Sequence, residues 1–354
     1  MGLGIAIAVG GSPDDQMSDA TVVEVNQRMG ERTTYKIRYD IDISGDDIPA
    51  LVDARSDPGS MLSVLVPLNG QNLCLVKGPV IGQQINFVHG GAGSYLEVQG
   101  SDTTVTMDRE TKTVLWPDVT DSDAVNTILG TYGYTPDLDS TDASHTTAKH
   151  ALVQRDSDWR FVRRLARRNG TLFWVDSDET GVETAHFKKP VVAGDPAMNL
   201  DINLDTNQID SLMLNWDVER PTSVVASQLN LNDKSTIDGA VAQTPLAPLG
   251  STALQAIATD TRSVPVTIPA DDAGDLQARG QGALIEAGWF IRGNCQTSVK
   301  ALNAIVKPNT LVNLRGVGTR HSGNYYVAAV RHLITPDNHT MDLELIRNAW
   351  GAQS

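Results

Sequence analysis

Neighbouring carboxylates are the residues of this chain whose type and spacing come closest to acid–base chemistry. A glycoside hydrolase uses two carboxylates at a defined separation across a cleft. The sequence offers several neighbours and singles out no pair among them: Asp14 and Asp15, Asp46 and Asp47, Asp156 and Asp158, Asp271 and Asp272. We therefore expect loop, capping and solvated roles. Asp156 and Asp158 suit a first helical turn, where the helix dipole stabilises negative charge.

Histidines are the other candidates, because they serve as bases and as metal ligands. His145 and His150 are five residues apart, and three more lie near the C-terminus: His321, His332 and His339. A metal site needs a closer set of His, Cys, Asp and Glu on rigid elements. We expect His332, which lies in an apolar stretch, to be a structural histidine. We expect neither a metal nor a cofactor.

Motifs that would identify an enzyme are missing from the sequence. It contains no GxxxxGK[ST] loop, no GxSxG elbow and no HExxH pair. The Gly-rich turn at residues 90–93 lies between two expected strands, whereas a phosphate cradle needs a following helix N-terminus. Cys74 and Cys295 lie in apolar stretches and are expected to be buried free thiols. The chain is therefore predicted to be non-enzymatic.

Length and composition indicate a β-rich protein of two or three domains. The 354 residues exceed one ordinary core, and the hydrophobic share is 40% whereas the aromatic share is only 5%. A net charge of −15 argues against a general nucleic-acid surface. The apolar residues 2–9 are too short to span a bilayer and suit a strand or an assembly arm. We expect no membrane segment elsewhere.

Residues 1–112 are predicted to form a first β-barrel domain. Residues 35–43 alternate apolar and polar side chains, which is typical of a half-buried strand. Two apolar runs, 61–68 and 73–76, flank an Asn-Gly pair that signals a hairpin turn. Further strands are expected at 85–89 and 95–99, and this spacing is typical of a barrel or a sandwich.

Residues 113–190 are predicted to form a small α+β domain. A helix is expected to be capped at 121–123 and to stop near residue 130. A polar loop is expected at 137–150. A second helix then leads into a strand at 171–175 and a return strand at 184–187.

The second helix of this domain is amphipathic. Asp156 or Ser157 is expected to cap it. Its apolar face consists of Phe161, Val162, Leu165 and Ala166. The opposite face carries the densest basic patch of the chain, and we treat it as a candidate docking face for an acidic surface: Arg160, Arg163, Arg164, Arg167 and Arg168.

Residues 191–354 are predicted to form a second β-barrel domain with a loop and helix excursion at about 233–288. The helix is expected over 271–288, with an apolar side formed by Leu276, Ala283, Leu284 and Ala287. Strands are expected at 209–218, 289–292, 298–302, 311–314, 324–332 and 340–346.

Residues 154–175 resemble a recurrent block of phage tail hub proteins, which include the late control protein D group and the hub portion of type VI secretion spike proteins. The block combines a Gln, an acidic-Ser-Asp-Trp cap, a Leu-Ala pair and a Gly stop. Here these are Gln154, Asp158, Trp159, Leu165, Ala166 and Gly170. Residues 95–102 and 122–133 agree with the family in order and spacing. So does a C-terminal hairpin with Gly323, Tyr325, Val327 and His332.

The resemblance implies two β-barrel domains with α+β insertions, assembling as a homotrimer that forms a ring. Such a hub lies at the baseplate centre and joins the hexameric tail tube to the central spike. The implied partners are the tail tube protein, the spike protein, other baseplate proteins and the tape measure protein. The implied location is the baseplate of a virion tail or injection particle, after assembly in the bacterial cytoplasm. We expect the piercing spike on another chain.

Two other functions remain as alternatives. A carbohydrate-binding or carbohydrate-cleaving β-protein of a tail tip would need a cleft with exposed aromatic residues. A secreted effector or protease would need a nucleophile with its base, and no such set stands out in the sequence.

Overall fold

Alternating apolar and polar residues over most of the chain fold into strands, as the composition predicts. The structure, a computed structural model, describes residues 4–43, 48, 51–148, 151–229, 234–241, 243–258, 260–266 and 273–352. Within these ranges the protein is mainly β with a few helices, which confirms the predicted fold class at that level.

The first part of the chain consists of strands. They are β1 (Ala6–Val9), β2 (Ser12–Pro13), β3 (Val22–Arg28), β4 (Thr34–Asp40), β5 (Met61–Leu68), β6 (Gln71–Asn86) and β7 (Tyr95–Ser101). The predicted hairpin joins β5 to β6, and its turn residues Asn69 and Gly70 have φ angles of 53° and 80°. These left-handed angles are what a two-residue hairpin turn requires.

β6 is longer than the sequence pattern indicates. The segments 73–76 and 85–89 were expected as separate strands, but β6 covers 73–76 and continues to Asn86, so only the first two residues of 85–89 are in a strand. Its first half pairs with β5 and its second half with β7, and a β-bulge between Val80 and Gly82 lies at the start of the pairing with β7. Because a bulge bends a strand, β6 can leave one neighbour and continue along another.

The middle of the chain is α+β, as predicted. Its elements are β8 (Val114–Trp116), β9 (Val119–Thr120), α1 (Asp121–Thr131), β10 (Thr135–Leu138), β11 (Ser144–His145), β12 (Leu152–Gln154), α2 (Asp158–Asn169), β13 (Leu172–Ser177) and β14 (Glu183–Lys188). Thr120 caps α1, and Asp123 completes a capping box with it. The loop expected at 137–150 is partly wrong, because β10 runs beside β14 and β11 pairs with β9. His150 lies outside the described residues.

The last part of the chain returns to strands around one longer helix. Its elements are β15 (Asn199–Asp201), β16 (Ser211–Trp216), β17 (Ser223–Leu229), β18 (Thr236–Asp238), β19 (Thr252–Ala253), α3 (Leu254–Ile257), β20 (Ser263–Val266), α4 (Ala273–Gly288), β21 (Ile291–Ser298), α5 (Val299–Leu302), β22 (Leu311–Arg315), α6 (Gly318–His321), β23 (Gly323–Ile334), β24 (His339–Arg347) and β25 (Ala349–Trp350).

Two expectations for this part are wrong. The strand predicted at 298–302 is the helical turn α5, because the Ser298 hydroxyl accepts from the Ala301 backbone N–H at 3.2 Å and caps it. Ala283 is exposed on α4, whereas Leu276, Leu284 and Ala287 are buried as predicted. Asp271 and Asp272, expected at the helix start, lie outside the described residues.

Strands from both ends of the chain join one 13-stranded sheet, ordered β16-β21-β24-β23-β3-β4-β7-β6-β5-β1-β2, with β22 attached to β23 and β15 to β22. The two ends meet where β3 pairs antiparallel with β23 and Val25 lies opposite His332. The resemblance implies two closed barrels, but none is found among the described residues. The strands expected in separate barrels are instead hydrogen-bonded to each other. The predicted domain boundaries stay a prediction.

The two largest apolar cores of the described residues lie under these elements. The larger core combines residues of both chain ends, including Val23, Val98, Val330 and Leu345. A second core buries α1 and α2 against β13 and β14 and takes all its buried residues from the range 107–187. α2 therefore belongs to a separate packing unit, and its outer face is available for other contacts.

Candidate interaction site at the second helix

The block that carries the family resemblance folds as the capped helix α2. The Ser157 hydroxyl accepts a hydrogen bond from the Arg160 backbone N–H at 3.4 Å, so Ser157 rather than Asp156 is the cap. Gly170 ends the helix with a left-handed φ of 65°. The predicted apolar face is buried throughout: Phe161, Val162, Leu165 and Ala166. Spacing alone thus located this helix and its buried side.

Gln154 and Asp158 form a buried polar network at the start of α2. Gln154 Nε2 donates to Asp158 Oδ1 at 2.7 Å, and Gln154 Oε1 accepts from Trp116 Nε1 at 3.3 Å. Lys112 Nζ and the Tyr132 hydroxyl each donate to Asp158 Oδ2 at 2.6 Å. Burial disfavours the charged carboxylate, but hydrogen bonds from Lys112, Tyr132 and Gln154 outweigh burial and keep the pKa of Asp158 below its usual value. Both residues therefore hold α2 in place.

Trp159 connects α2 with the main sheet. Its ring centroid lies 5.4 Å from that of Phe173, on the strand that follows the helix. The guanidinium carbons of Arg32 and Arg163 lie 4.4 Å and 5.3 Å from the Trp159 ring centroid. Arg32 comes from the turn between β3 and β4, and its Nη2 lies 3.0 Å from Asp108 Oδ2. Cation–π contacts on this buried ring therefore join two packing units.

The outer face of α2 is less uniform than the spacing predicts. Four of its arginines are exposed: Arg160, Arg163, Arg164 and Arg167. Three of these face a carboxylate: Arg160 is 3.4 Å from Asp108, Arg164 is 3.5 Å from Asp156, and Arg167 is 3.0 Å from Glu286. Within the described residues Arg163 makes no ion pair. Exposed pairs of this kind contribute about 0–1 kcal/mol and exchange readily for other carboxylates.

The predicted docking face is wrong at Arg168. Its side chain is only 15% exposed, and it pairs with the carboxylate of Asp121 in the first turn of α1. His145 Nε2 lies 2.9 Å from Asp121 Oδ1, and Asn169 Nδ2 donates to Asp121 Oδ2 at 2.7 Å. Helical spacing could not show this, because the position of α1 beside the end of α2 is a tertiary property. Arg168 therefore has a structural role.

A groove of about 820 Å³ separates α2 from α4. One wall carries Arg163, Arg164 and Arg167. The other carries α4 residues, and its floor is largely apolar. The walls touch at their base, where a Cβ on Gly170 would lie 2.6 Å from Ile285 Cδ1. Met29, Gly30 and Glu31 of the turn after β3 also line the groove. The groove thus borders three separate parts of the fold.

Arg347 is an important residue that sequence reasoning missed. It is fully buried at the end of β24. Its guanidinium donates to the backbone carbonyl oxygens of Leu249, His321, Ser322 and Gly351 at 2.6–3.3 Å. Burial lowers the pKa of Arg347 from its usual value. A Cβ on Gly323 would lie 2.6 Å from Arg347 Nη2, which gives the glycine of the C-terminal motif its physical reason.

The other C-terminal motif residues are also structural. The Tyr325 hydroxyl donates to the His321 carbonyl oxygen at 2.9 Å, and Val327 is buried beside a β-bulge. His332 is fully buried, with Nε2 3.2 Å from Gln27 Oε1 and Nδ1 3.1 Å from His339 Nε2. Burial lowers the pKa of His332 to about 3. His332 is thus a neutral link between β23 and β3.

Acid–base groups also come together around His186. His186 Nδ1 lies 2.9 Å from Asp137 Oδ2, and its Nε2 lies 3.5 Å from Asp176 Oδ2. Burial opposes protonation of His186, but the two carboxylates outweigh it and raise its pKa. The cross-strand pairing of Trp174 with His186 stacks the two rings at 4.5 Å. Because both ring nitrogens face carboxylates, His186 links Asp137 and Asp176 and is not directed at a nucleophile.

Other candidates for chemistry are accounted for by burial. Cys74 and Cys295 are buried free thiols, as predicted, and burial raises their pKa to about 11 and about 12. In the described part of the chain, no group of three or more His, Cys, Asp and Glu side chains could hold a metal ion. The helices in those same ranges are all too short or too polar to cross a membrane.

Comparisons with known proteins are consistent with this geometry. A family model described as "Alg8 N-terminal domain" matches residues 3–336. No curated protein matches the chain. A solved tail protein from Neisseria meningitidis MC58 is 13% identical with a TM-score of 0.67, covering 98% of this chain and 97% of that chain. The 43 kDa tail protein of prophage MuSo2 from Shewanella oneidensis is 12% identical with a TM-score of 0.69, covering 98% of each chain.

A third similar structure is that of the E. coli c3393 protein, described as a component of the type VI secretion system that resembles T4 bacteriophage tail proteins gp27 and gp5. It is 12% identical with a TM-score of 0.60, covering 98% of this chain and 79% of that chain. Identities this low establish the fold alone. The expected resemblance to phage tail and type VI secretion proteins is confirmed as a fold. The narrower late control protein D assignment stays a prediction.

Proposed function

This chain belongs to the Alg8 N-terminal domain family, and from its fold, which is that of phage tail proteins, we propose that it is a structural, non-catalytic subunit of a contractile tail or injection machine. In this proposal the chain forms a trimeric hub ring at the centre of the baseplate. The ring joins the hexameric tail tube to the spike. The observation that carries the proposal is that, among the described residues, two of the free edges of the main sheet are complementary.

The first free edge is β16, at one end of the sheet. β16 pairs with β21 on one side, and no strand among the described residues pairs with its other side. Its Met213 and Trp216 are large apolar residues that are 57% and 52% exposed. An exposed apolar edge strand is a template for pairing with another chain.

The second free edge is the outer half of β6. Beyond Pro79, which pairs with Met61, β6 leaves β5 and keeps only β7 as a strand neighbour within the described residues. Ile81, Ile85 and Phe87 at or just beyond this half are 53%, 41% and 57% exposed. The two edges thus carry the same kind of unpaired backbone and apolar surface.

Strand direction allows the two edges to meet head to tail. Eight strands run from edge to edge in the order β16-β21-β24-β23-β3-β4-β7-β6, and every neighbouring pair is antiparallel. With an even number of alternating strands, β6 of one copy and β16 of the next run in opposite directions. A head-to-tail contact therefore continues the antiparallel sheet, and repetition of it closes a ring.

The polar face of this sheet suits the lining of a conduit. Its charges form ion pairs across strands: Arg331 with Glu24 and Asp342, Arg28 and Arg292 with Glu344, and Lys36 with Glu97. These are four cations and four anions, so the face is balanced although the whole chain has a net charge of −15. A balanced, solvated lining holds passing cargo weakly.

The proposal also implies which proteins the chain contacts and where it is located. A ring of this kind would contact the tail tube protein on one side and the spike protein on the other, with other baseplate proteins and the tape measure protein as further partners. It would assemble in the bacterial cytoplasm and function in the tail baseplate. The likeness of fold to tail and secretion-system proteins supports these partners.

Native mass spectrometry and negative-stain imaging test the ring. The wild-type chain is expected to form trimers with an axial hole, and Met213→Lys or Ile85→Lys should give folded monomers, because a lysine on an edge strand opposes pairing. Val191→Lys is the matched control, since Val191 is exposed but lies on neither edge. A mixture of the two edge variants should form heterodimers through the one intact pair of edges. A wild-type chain that stays monomeric with purified tube protein present would overturn the proposal.

A further inference from the structure

The groove between α2 and α4 combines a cationic wall with apolar surface that the fold leaves uncovered. Arg163, Arg164 and Arg167 form the wall on α2. On the α4 side Ala283 is exposed and faces the groove, although the sequence pattern placed it in the core. Leu172 adds half-buried apolar surface to the floor. A ligand here would therefore meet positive charge on one side and apolar surface beneath.

The arginines of the wall are only partly neutralised. The Arg163 guanidinium rests 5.3 Å from the Trp159 ring centroid and has no carboxylate partner within the described residues. Arg164 and Arg167 face Asp156 and Glu286 at 3.5 Å and 3.0 Å, in exposed pairs. Because these two exposed ion pairs are weak, a carboxylate of a ligand can take the place of Asp156 or Glu286.

We propose that this groove is a docking site for an acidic, amphipathic segment of a partner protein. Carboxylates of the segment would pair with Arg163, Arg164 and Arg167, and its apolar side chains would cover Ala283 and Leu172. The site is independent of the proposed ring contacts, because it uses neither β16 nor the outer half of β6. Failure of either proposal can therefore be distinguished from failure of the other.

Charge and shape favour a protein segment over a nucleic acid. Binding of single strands generally relies on aromatic residues that stack on bases, whereas Trp289, which lines this groove, is only 4% exposed and already stacks on Tyr326. The chain as a whole has a net charge of −15, which repels a polyanion at long range. A short acidic segment has much less charge to repel and brings apolar side chains that fit the floor.

Binding of a designed peptide to the full chain tests the proposal. The probe is a fluorescein-labelled helical peptide of about 14 residues, long enough for roughly four turns, with Glu on one face and Leu on the other. We expect binding that weakens with salt, and loss of binding when Gln replaces Glu or Ser replaces Leu. The triple variant Arg163→Glu, Arg164→Glu, Arg167→Glu should bind at least about tenfold more weakly.

Two further variants show whether binding depends on this groove or only on the net charge of the chain. Arg28→Glu, Lys36→Glu, Arg292→Glu changes the net charge equally on the polar face of the sheet, and it should keep the affinity of the wild-type chain. Ala283→Trp fills the groove without changing charge and should weaken binding. Equal binding of the Glu and Gln peptides, or equal loss in both triple variants, would refute the proposal.

The experiment also tests two other occupants of the groove, a nucleic acid and a second copy of the chain. If an oligothymidylate binds with the affinity of the peptide and competes with it, the groove is a nucleic-acid site and the proposal is wrong. If the groove triple variant lowers the oligomeric mass of the chain, the occupant is a second copy and the partner assignment is wrong.

Discussion

Gly170 at the end of α2 and Gly282 in the middle of α4 touch through their backbones. A Cβ on Gly170 would lie 2.9 Å from the Gly282 Cα, and a Cβ on Gly282 would lie 2.8 Å from the Gly170 nitrogen. Side chains on either residue would force the helices apart. This contact fixes the base of the groove and joins the middle packing unit to the excursion of the last part of the chain.

Replacement of Gly282 by alanine is expected to destabilise the protein although alanine favours helices. The new Cβ would meet three backbone atoms at 2.8–3.0 Å, and backbone cannot move aside as a flexible side chain can. We expect a loss of about 1–3 kcal/mol in the free energy of unfolding, measured by denaturant titration. Gly288→Ala in the same helix is the control, since its Cβ would meet nothing within 4 Å. Equal stability of the two variants would contradict the close contact.

Arg167 and Arg168 are adjacent in sequence but should respond differently to truncation. Arg168→Met leaves the buried Asp121 carboxylate without its arginine, and loss of one partner of a buried pair costs about 3–5 kcal/mol. Arg167→Met breaks an exposed pair and should cost no more than about 1 kcal/mol. Thermal unfolding of both variants measures the difference. If Arg168→Met is as stable as Arg167→Met, the assignment of Arg168 to the interior is wrong.

Arg347 is expected to be one of the most sensitive positions in the chain. Methionine retains much of the volume but removes the donors to the carbonyl oxygens of Leu249, which is buried, and Gly351, which is half-buried. An unsatisfied buried group costs about 1–3 kcal/mol, so Arg347→Met should lower the free energy of unfolding by about 2 kcal/mol or more. Arg292→Met, at an exposed arginine of the neighbouring strand β21, is the control. Limited proteolysis within 243–258 should accelerate only in the Arg347 variant.

Stability should fall in acid partly because of His332. In the unfolded chain a histidine titrates near pH 6.5. Burial lowers the pKa of His332 to about 3 and that of its neighbour His339 to about 4 in the folded protein. Between about pH 3 and about pH 6.5 the unfolded state therefore binds more protons than the folded state. The contribution of these two histidines to the free energy of unfolding is fully present above about pH 6.5 and is lost as pH falls toward 3.

His332→Gln should flatten this dependence, because glutamine can keep a hydrogen bond to Gln27 but does not titrate. The melting temperature of the variant should fall less than that of the wild-type chain between about pH 7 and pH 5. His89→Gln, at an exposed histidine, should leave the wild-type profile unchanged. Parallel profiles for wild-type and His332→Gln would exclude the buried histidine as a source of acid sensitivity.

Local rules were sufficient for most elements and for the block around α2. The Asn69-Gly70 turn, a cap at Asp156 or Ser157, the Gly170 stop and the apolar face of α2 depend on residues close in sequence. Backbone preference and helical periodicity act over that same short range, so the sequence alone determined them. The buried free thiols and the structural His332 were also predictable, because apolar neighbours indicate burial.

Only the tertiary structure decided which of these elements meet. The pairing of β3 with β23 brings Gln27 to His332, and it places both chain ends in one sheet rather than in two closed barrels. Arg168 is not on the expected outer face, because it pairs with Asp121 of α1. Ala283 is not in the core, because it lines the groove between α2 and α4. Contacts between residues far apart in sequence carry no periodic signal. They are set by which apolar faces pack together, and that is a property of the whole chain.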